Sequence, residues 1–240
     1  MSWKNTPPFF AYQTLCFSRN ASERQKNWSN YDRWVRSFKT DRTSLRDESA
    51  WITFDALDYL SEWLRPAYRI FEFGGGGSTL FFCKKTAFVV TVEHQRDWFH
   101  VLEKIMQAKG YQNWRGHLIE PEPVADWNLL DASNPRHFKS NSPDQKDVSF
   151  ERYARVIDPF DNEFFDLVLV DGRARASCIA QAIPKLKPGG LLVIDNAERS
   201  YYLEAFKEIF ASKFTIELNT YAPVPYTPDF STTLVLKKIK

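Results

Sequence analysis

The chain has 240 residues, 43% of them hydrophobic and 26% charged, with a formal net charge of +2, which is enough apolar content to fill one substantial core. No apolar run approaches the roughly 18 residues that a membrane-spanning helix needs, and the N-terminal MSWKNTPPFFAYQ lacks the features of a signal peptide, so a soluble, cytoplasmic protein with no membrane partner is expected. Cys16, Cys83 and Cys178 stand far apart with no C-x-x-C among them, which argues against a disulfide framework or zinc site and for buried free thiols.

Residues 1–46 hold nine Lys or Arg against three Asp or Glu, interleaved with Trp3, Phe9, Phe10, Trp28 and Trp34. A basic, aromatic N-terminal arm or lid of this kind can meet an acidic partner, or its aromatics can pack back onto the domain. It shows neither a basic helix nor a nucleic-acid motif, so nucleic acid is not the expected partner. Residues 47–240 read as one domain. Within 44–66, apolar residues at Ile52, Ala56, Tyr59, Leu60 and Trp63 follow helical spacing up to Pro66. Strand and helix then alternate: RIFEF (69–73) is a strand, 78–85 a helix, AFVVTVEH (87–94) a strand, and 96–109 a helix stopped by Gly110. GHLIEPEP (116–123) is predicted as the third strand. The polar, proline-punctuated stretch 121–148 is too long for an ordinary connection and reads as an active-site lid or a disordered insert.

FFDLVLVDG (164–172) is a continuous apolar run of the kind buried in a parallel sheet. A helix over about 173–186, a Lys187-Pro188-Gly189-Gly190 turn and the strand LLVIDN follow. The chain closes with a helix over 201–212 and the strands FTIELNTY and TTLVLKKI. Repeated βα units predict an α/β fold: a doubly wound, mostly parallel seven-stranded sheet with helices on both faces.

Chemistry concentrates where these strands end. In RIFEFGGGGST (69–79) the glycines let the backbone turn tightly and approach a ligand, and the next helix offers free N–H groups. The third glycine of a dinucleotide fingerprint would fall on Thr79, so the NAD pattern fails. Glu93 lies 19 positions after Gly74 at the end of the next strand, where a carboxylate can accept hydrogen bonds from ribose hydroxyls. Glu72, Glu93, Asp171 and Asp195 are expected to converge on one edge of the sheet.

The E-x-G-x-G-x-S of residues 72–78, taken with VDGRARASC and LKPGGLLVIDN, resembles motifs I, IV and V of the class I S-adenosylmethionine-dependent methyltransferases over roughly 47–200. The resemblance implies that Glu72 faces the ammonium end of S-adenosylmethionine, directly or through water. Gly74, Gly75, Gly76 and Ser78 would line the cofactor, Glu93 would hold its ribose with His94 close by, and Asp171 would accept a proton or align the acceptor. Asp171, Asp195 and Asn196 are also similar to the ligands of cation-dependent O-methyltransferases of the catechol type, which implies a divalent cation such as Mg²⁺; Asp195-Asn196 can equally turn the chain out of its strand. Ala174 stands where those enzymes carry a catalytic lysine. Arg173, Arg175 and Arg199 would instead meet an acidic small-molecule substrate. The implied activity is methylation, of oxygen in preference to nitrogen, on a small-molecule or sugar-like acceptor. An aminopropyltransferase on the same sheet, or a non-catalytic cofactor-binding module with an acidic partner, are the alternatives.

Overall fold

The computed structural model describes residues 6–239; Trp3 of the arm lies outside them. The strands are β1 (Arg69–Phe73), β2 (Phe88–Glu93), β3 (Trp114–Leu118), the short pair β4 (Glu122–Pro123) and β5 (Val148–Ser149), β6 (Phe165–Val170), β7 (Leu186–Ile194), β8 (Phe214–Ala222) and β9 (Ser231–Lys238). Seven of them form one sheet in the order β3-β2-β1-β6-β7-β9-β8. β3, β2, β1, β6 and β7 are parallel neighbours, and β9 runs antiparallel to both β7 and β8. The expected doubly wound seven-stranded sheet is therefore present.

Side-chain alternation splits the core into two layers. Phe71, Phe73, Val90, Val168 and Ile194 point to one face, and Ile70, Val89, Leu167, Leu191 and Val193 to the other. The second face is covered by α5 (Phe54–Trp63), α6 (Gly77–Cys83) and α7 (Arg96–Lys109), and the first by α8 (Glu151–Ala154) and α9 (Arg175–Lys185). α7 stops where predicted, at Gly110 in the left-handed conformation with φ +71°. With both faces covered, β1, β2 and β6 are mostly apolar without a clean alternation, and their C-terminal ends open on one edge.

Residues 7–47 form four short helices, α1 (Pro7–Phe17), α2 (Ala21–Ser29), α3 (Tyr31–Ser37) and α4 (Ser44–Asp47). Phe10 and Trp34 are fully buried against Phe54 and Phe230, and Trp34 Nε1 donates to the Thr227 carbonyl at 3.0 Å. Part of this segment's charge is paired, with Arg33 forking onto Asp58 at 2.6 and 2.9 Å and Lys26 lying 3.2 Å from Asp55.

Several elements differ from expectation. The helix predicted across 44–66 is interrupted, because Glu48 adopts φ +50° and closes α4, and the chain restarts α5 from a cap in which Thr53 Oγ1 accepts from Ala56 N. β3 begins at Trp114 rather than Gly116. The Lys-Pro-Gly-Gly segment lies inside β7 as a bulge, since Leu186 and Leu191 pair with Phe165 and Leu167. The helix predicted over 201–212 is two 3₁₀ turns, Ser200–Tyr202 and Glu204–Phe206, followed by α10 (Lys207–Lys213). Tyr202 is drawn inward there, donating from its hydroxyl to the Asp195 carbonyl at 3.1 Å. In the 121–148 stretch, Phe138 is buried in the core and its N–H donates to Ser177 Oγ at 3.1 Å. Cys83 and Cys178 are buried as expected, whereas Cys16 is exposed. Among the described residues no helix is long and apolar enough to cross a membrane.

Candidate active site

The loop after β1 packs backbone against backbone. Gly74 sits at φ +94°, and a Cβ there would lie 2.9 Å from the Asp171 carbonyl oxygen, so this turn takes glycine on both counts. Gly77 is held by close approach, because a Cβ would overlap the carbonyl oxygens of Ser44 and Ser49. Gly75 N donates to Glu93 Oε2 at 3.0 Å, and the Gly75 carbonyl accepts from Trp98 Nε1 at 2.7 Å. Gly76 N donates to Thr79 Oγ1 at 3.1 Å.

Glu72 does not face the open edge. It is fully buried beneath the loop and accepts from Ser78 Oγ and Thr91 Oγ1, both at 2.7 Å, and from the Thr79 hydroxyl. Burial raises its carboxyl to about 7 against the three hydroxyls, which lower it, and the Glu93 charge adds to the rise. The expectation that Glu72 meets a ligand ammonium is corrected: it ties the loop and α6 to β2. Both faces of β1 are covered, so alternation in RIFEF could not reveal which way it points.

Glu93 does reach the edge. Oε1 accepts from the backbone N–H groups of His94 and Gln95 at 2.7 and 2.8 Å, and Oε2 accepts from Gly75. His94 Nδ1 lies 2.8 Å from Oε1. Burial alone would raise this carboxyl, but His94 and the Gln95 and Gly75 amides outweigh it and leave it below the ordinary value. A 230 Å³ cavity over the loop is lined by Gly74, Gly75, Gly76, Ser78, Glu93 and His94, among others. It shares Gly75, Glu93, His94, Trp51, Trp98, Asp171 and Arg173 with a 740 Å³ cavity that runs on to Asp195, Asn196 and Arg199. Trp51 and Trp98 were missed in the sequence, since nothing local marks a tryptophan in α7 as the partner of a carbonyl 23 residues away.

Asp171, Asp195 and Asn196 come together, but around a guanidinium. Arg175 Nη2 lies 3.0 Å from Asp171 Oδ1, and its Nη1 donates to Asn196 Oδ1 at 2.9 Å and to the Asp195 carbonyl at 2.5 Å. Asp195 Oδ1 accepts from Thr233 Oγ1 at 2.7 Å, and Asn196 Nδ2 donates to Ser231 Oγ. The residues do not fit the expected divalent cation: Arg175 already occupies Asp171 Oδ1 and Asn196 Oδ1 with its own positive charge, Thr233 donates to Asp195 Oδ1, and no cluster of three His, Cys, Asp or Glu suited to a metal occurs among the described residues. Arg175 is correspondingly turned to this pair and not free for a substrate. Ala174, at φ +46°, separates it from Arg173, which contacts His94 Nε2 and Ser142 Oγ. Burial and the Asp195 charge hold the Asp171 carboxyl well above the usual carboxylate range, with Arg175 opposing them. Burial likewise raises Asp195 to about 6, against Arg175 and Thr233.

No protein-family model matches the chain, and none of the curated proteins matches it. Solved structures do. A candidate methyltransferase from Streptococcus mutans in complex with SAH aligns over 76% of this chain and 94% of its own, at 15% identity and a TM-score of 0.52. A candidate rRNA-methylase from Clostridium thermocellum aligns over 78% and 94%, at 12% identity and a TM-score of 0.53. The chain has the Rossmann-like fold of the class I S-adenosylmethionine-dependent methyltransferases. At these identities the likeness is one of fold.

Proposed function

We propose that this protein binds S-adenosylmethionine over the 74–77 loop and methylates an oxygen of a small-molecule acceptor. The observation that carries the reading is the Glu93 carboxylate, fixed by three backbone N–H groups and lining a cavity beside the glycine loop. That is where a ribose diol would find an acceptor at a switch point of the sheet. The loop suits a ligand at close range: a Cβ on Gly76 would meet nothing nearer than Trp98, at 3.7 Å. The aromatic surfaces of Trp51 and Trp98 border the same space and suit an adenine ring or a sulfonium charge.

The cofactor supplies a methyl group already activated on sulfur, so the protein's task is orientation, exclusion of water and uptake of a proton. Asp171 lines the cavity at the end of β6, and its raised affinity for protons makes it a stronger base than an ordinary carboxylate. Arg175 keeps an ionised form accessible and holds the carboxylate in place. The acceptor hydroxyl would give its proton to Asp171 as its oxygen takes the methyl and the carbon–sulfur bond breaks.

Incubation with methyl-labelled S-adenosylmethionine and a panel of hydroxyl-bearing small molecules tests this. Label transfer should fall about 10²-fold or more in Asp171→Ala while S-adenosylhomocysteine still binds. Equal turnover in the variant would remove Asp171 from the role.

A further inference from the structure

A second cavity, of 540 Å³, adjoins the first through Gly172, Arg173 and Arg175. The volume falls in the range of small-molecule sites. Among the described residues no carboxylate lines it, whereas Glu93, Asp171, Asp195, Glu198 and Asp229 all line the 740 Å³ cavity. Arg173 and Arg199 line both cavities, so they stand between the carboxylates of the larger one, suited to a sulfonium, and the 540 Å³ space, whose charged lining is wholly basic.

Two of the basic groups are fixed charges with their hydrogens engaged. Arg175 is bound to Asp171 and Asn196. Lys139 donates to the carbonyls of Trp127 and Leu130 at 3.2 and 2.8 Å and lies 3.7 Å over the Trp127 ring. The other two have donors to offer. Arg173 makes two hydrogen bonds, to His94 Nε2 at 3.4 Å and Ser142 Oγ at 2.9 Å, out of the five N–H donors a guanidinium carries. Its acidic neighbour, Asp144, is 3.8 Å away and mostly exposed. The Arg199 side chain is 58% exposed, and its guanidinium meets Glu198 at 3.8 Å, beyond hydrogen-bond range. Arg173 follows the end of β6 and Arg199 the end of β7, and these strands are neighbours, so the sheet brings both arginines to the same cavity.

We propose that the acceptor is a small organic anion whose phosphate, sulfate or carboxylate group is held by Arg173 and Arg199 in this cavity. The reacting hydroxyl then lies toward Asp171. The assignment rests on the methyl-transfer reading above. Two guanidinium forks bind an oxyanion with charge-assisted hydrogen bonds, and the fixed charges of Lys139 and Arg175 add to the local field.

The test is calorimetric titration of the protein, first with S-adenosylhomocysteine and then, with that site saturated, with inorganic phosphate, sulfate, acetate and a short RNA oligonucleotide. One-site binding of a small anion is expected, weakened about tenfold or more in Arg173→Gln and in Arg199→Gln, with circular dichroism confirming that both variants fold. Preference for phosphate or sulfate over acetate, or the reverse, identifies the anion. Absence of small-anion binding, equal binding by both variants, or binding of RNA alone overturns the proposal while leaving the cofactor reading intact. Failure of S-adenosylhomocysteine to bind marks the cofactor reading as the part that failed, and anion binding that persists then belongs to a site other than an acceptor pocket.

Discussion

Glu72→Gln isolates a carboxyl that the fold buries beneath the glycine loop. The parent side chain is fully buried and protonates at about 7 instead of 4.5. A folded-state value raised above the unfolded one favours the protonated form in the fold. Its stabilising contribution is complete below about pH 4.5 and is lost as the pH rises to about 7. The displacement corresponds to at most about 3.5 kcal/mol, at ~1.4 kcal/mol per pH unit. The amide cannot ionise, and the hydroxyls of Ser78, Thr79 and Thr91 can each donate or accept to suit it. Urea unfolding followed by tryptophan fluorescence, from pH 5 to pH 8, should show the variant gaining on the parent by up to about 3 kcal/mol across the series. A stability difference that stays constant with pH would refute the burial argument. Because Glu72 does not line the cavity, S-adenosylhomocysteine affinity should change by only a few fold; a loss beyond tenfold would return Glu72 to the ligand.

Arg175→Met strips the charge from between Asp171, Asp195 and Asn196 and should cost about 3–5 kcal/mol in urea unfolding, part of it recovered in the double variant with Asp171→Asn. The Tyr153 hydroxyl is buried with no hydrogen-bond partner among the described residues, so Tyr153→Phe should raise stability by about 1 kcal/mol or more, read as a higher melting temperature. Gly77→Ala, which drives a methyl into the Ser44 and Ser49 carbonyls, should lower stability by about 1–3 kcal/mol. Gly76→Ala, by contrast, should melt near the parent temperature unless ligand is present, when the added methyl obstructs the cavity.

The parallel strands were readable because burial on both faces makes FFDLVLVDG apolar from Leu167 to Val170 and leaves Glu72 as the one polar residue inside RIFEF, and the glycine run and Glu93 follow from where such strands end. Local spacing carries no information on which charges neutralise one another. Asp171, Asp195 and Asn196 looked like ligands for an added cation, yet the cation they meet is Arg175, from the first residue of α9. Glu72 was misplaced for a related reason, since three hydroxyls from α6 and β2 make its burial tolerable and only the folded chain assembles them. The helix predicted over 201–212 failed because Tyr202 is pulled to the end of β7, a tertiary demand that overrides an otherwise helical pattern.

Calorimetric titration with S-adenosylhomocysteine, with NAD as the comparison ligand, bears most directly on the central claim. Micromolar binding of S-adenosylhomocysteine, no heat from NAD and loss of binding in Glu93→Ala are predicted. Binding of NAD alone, or undiminished S-adenosylhomocysteine binding by Glu93→Ala, would contradict the account.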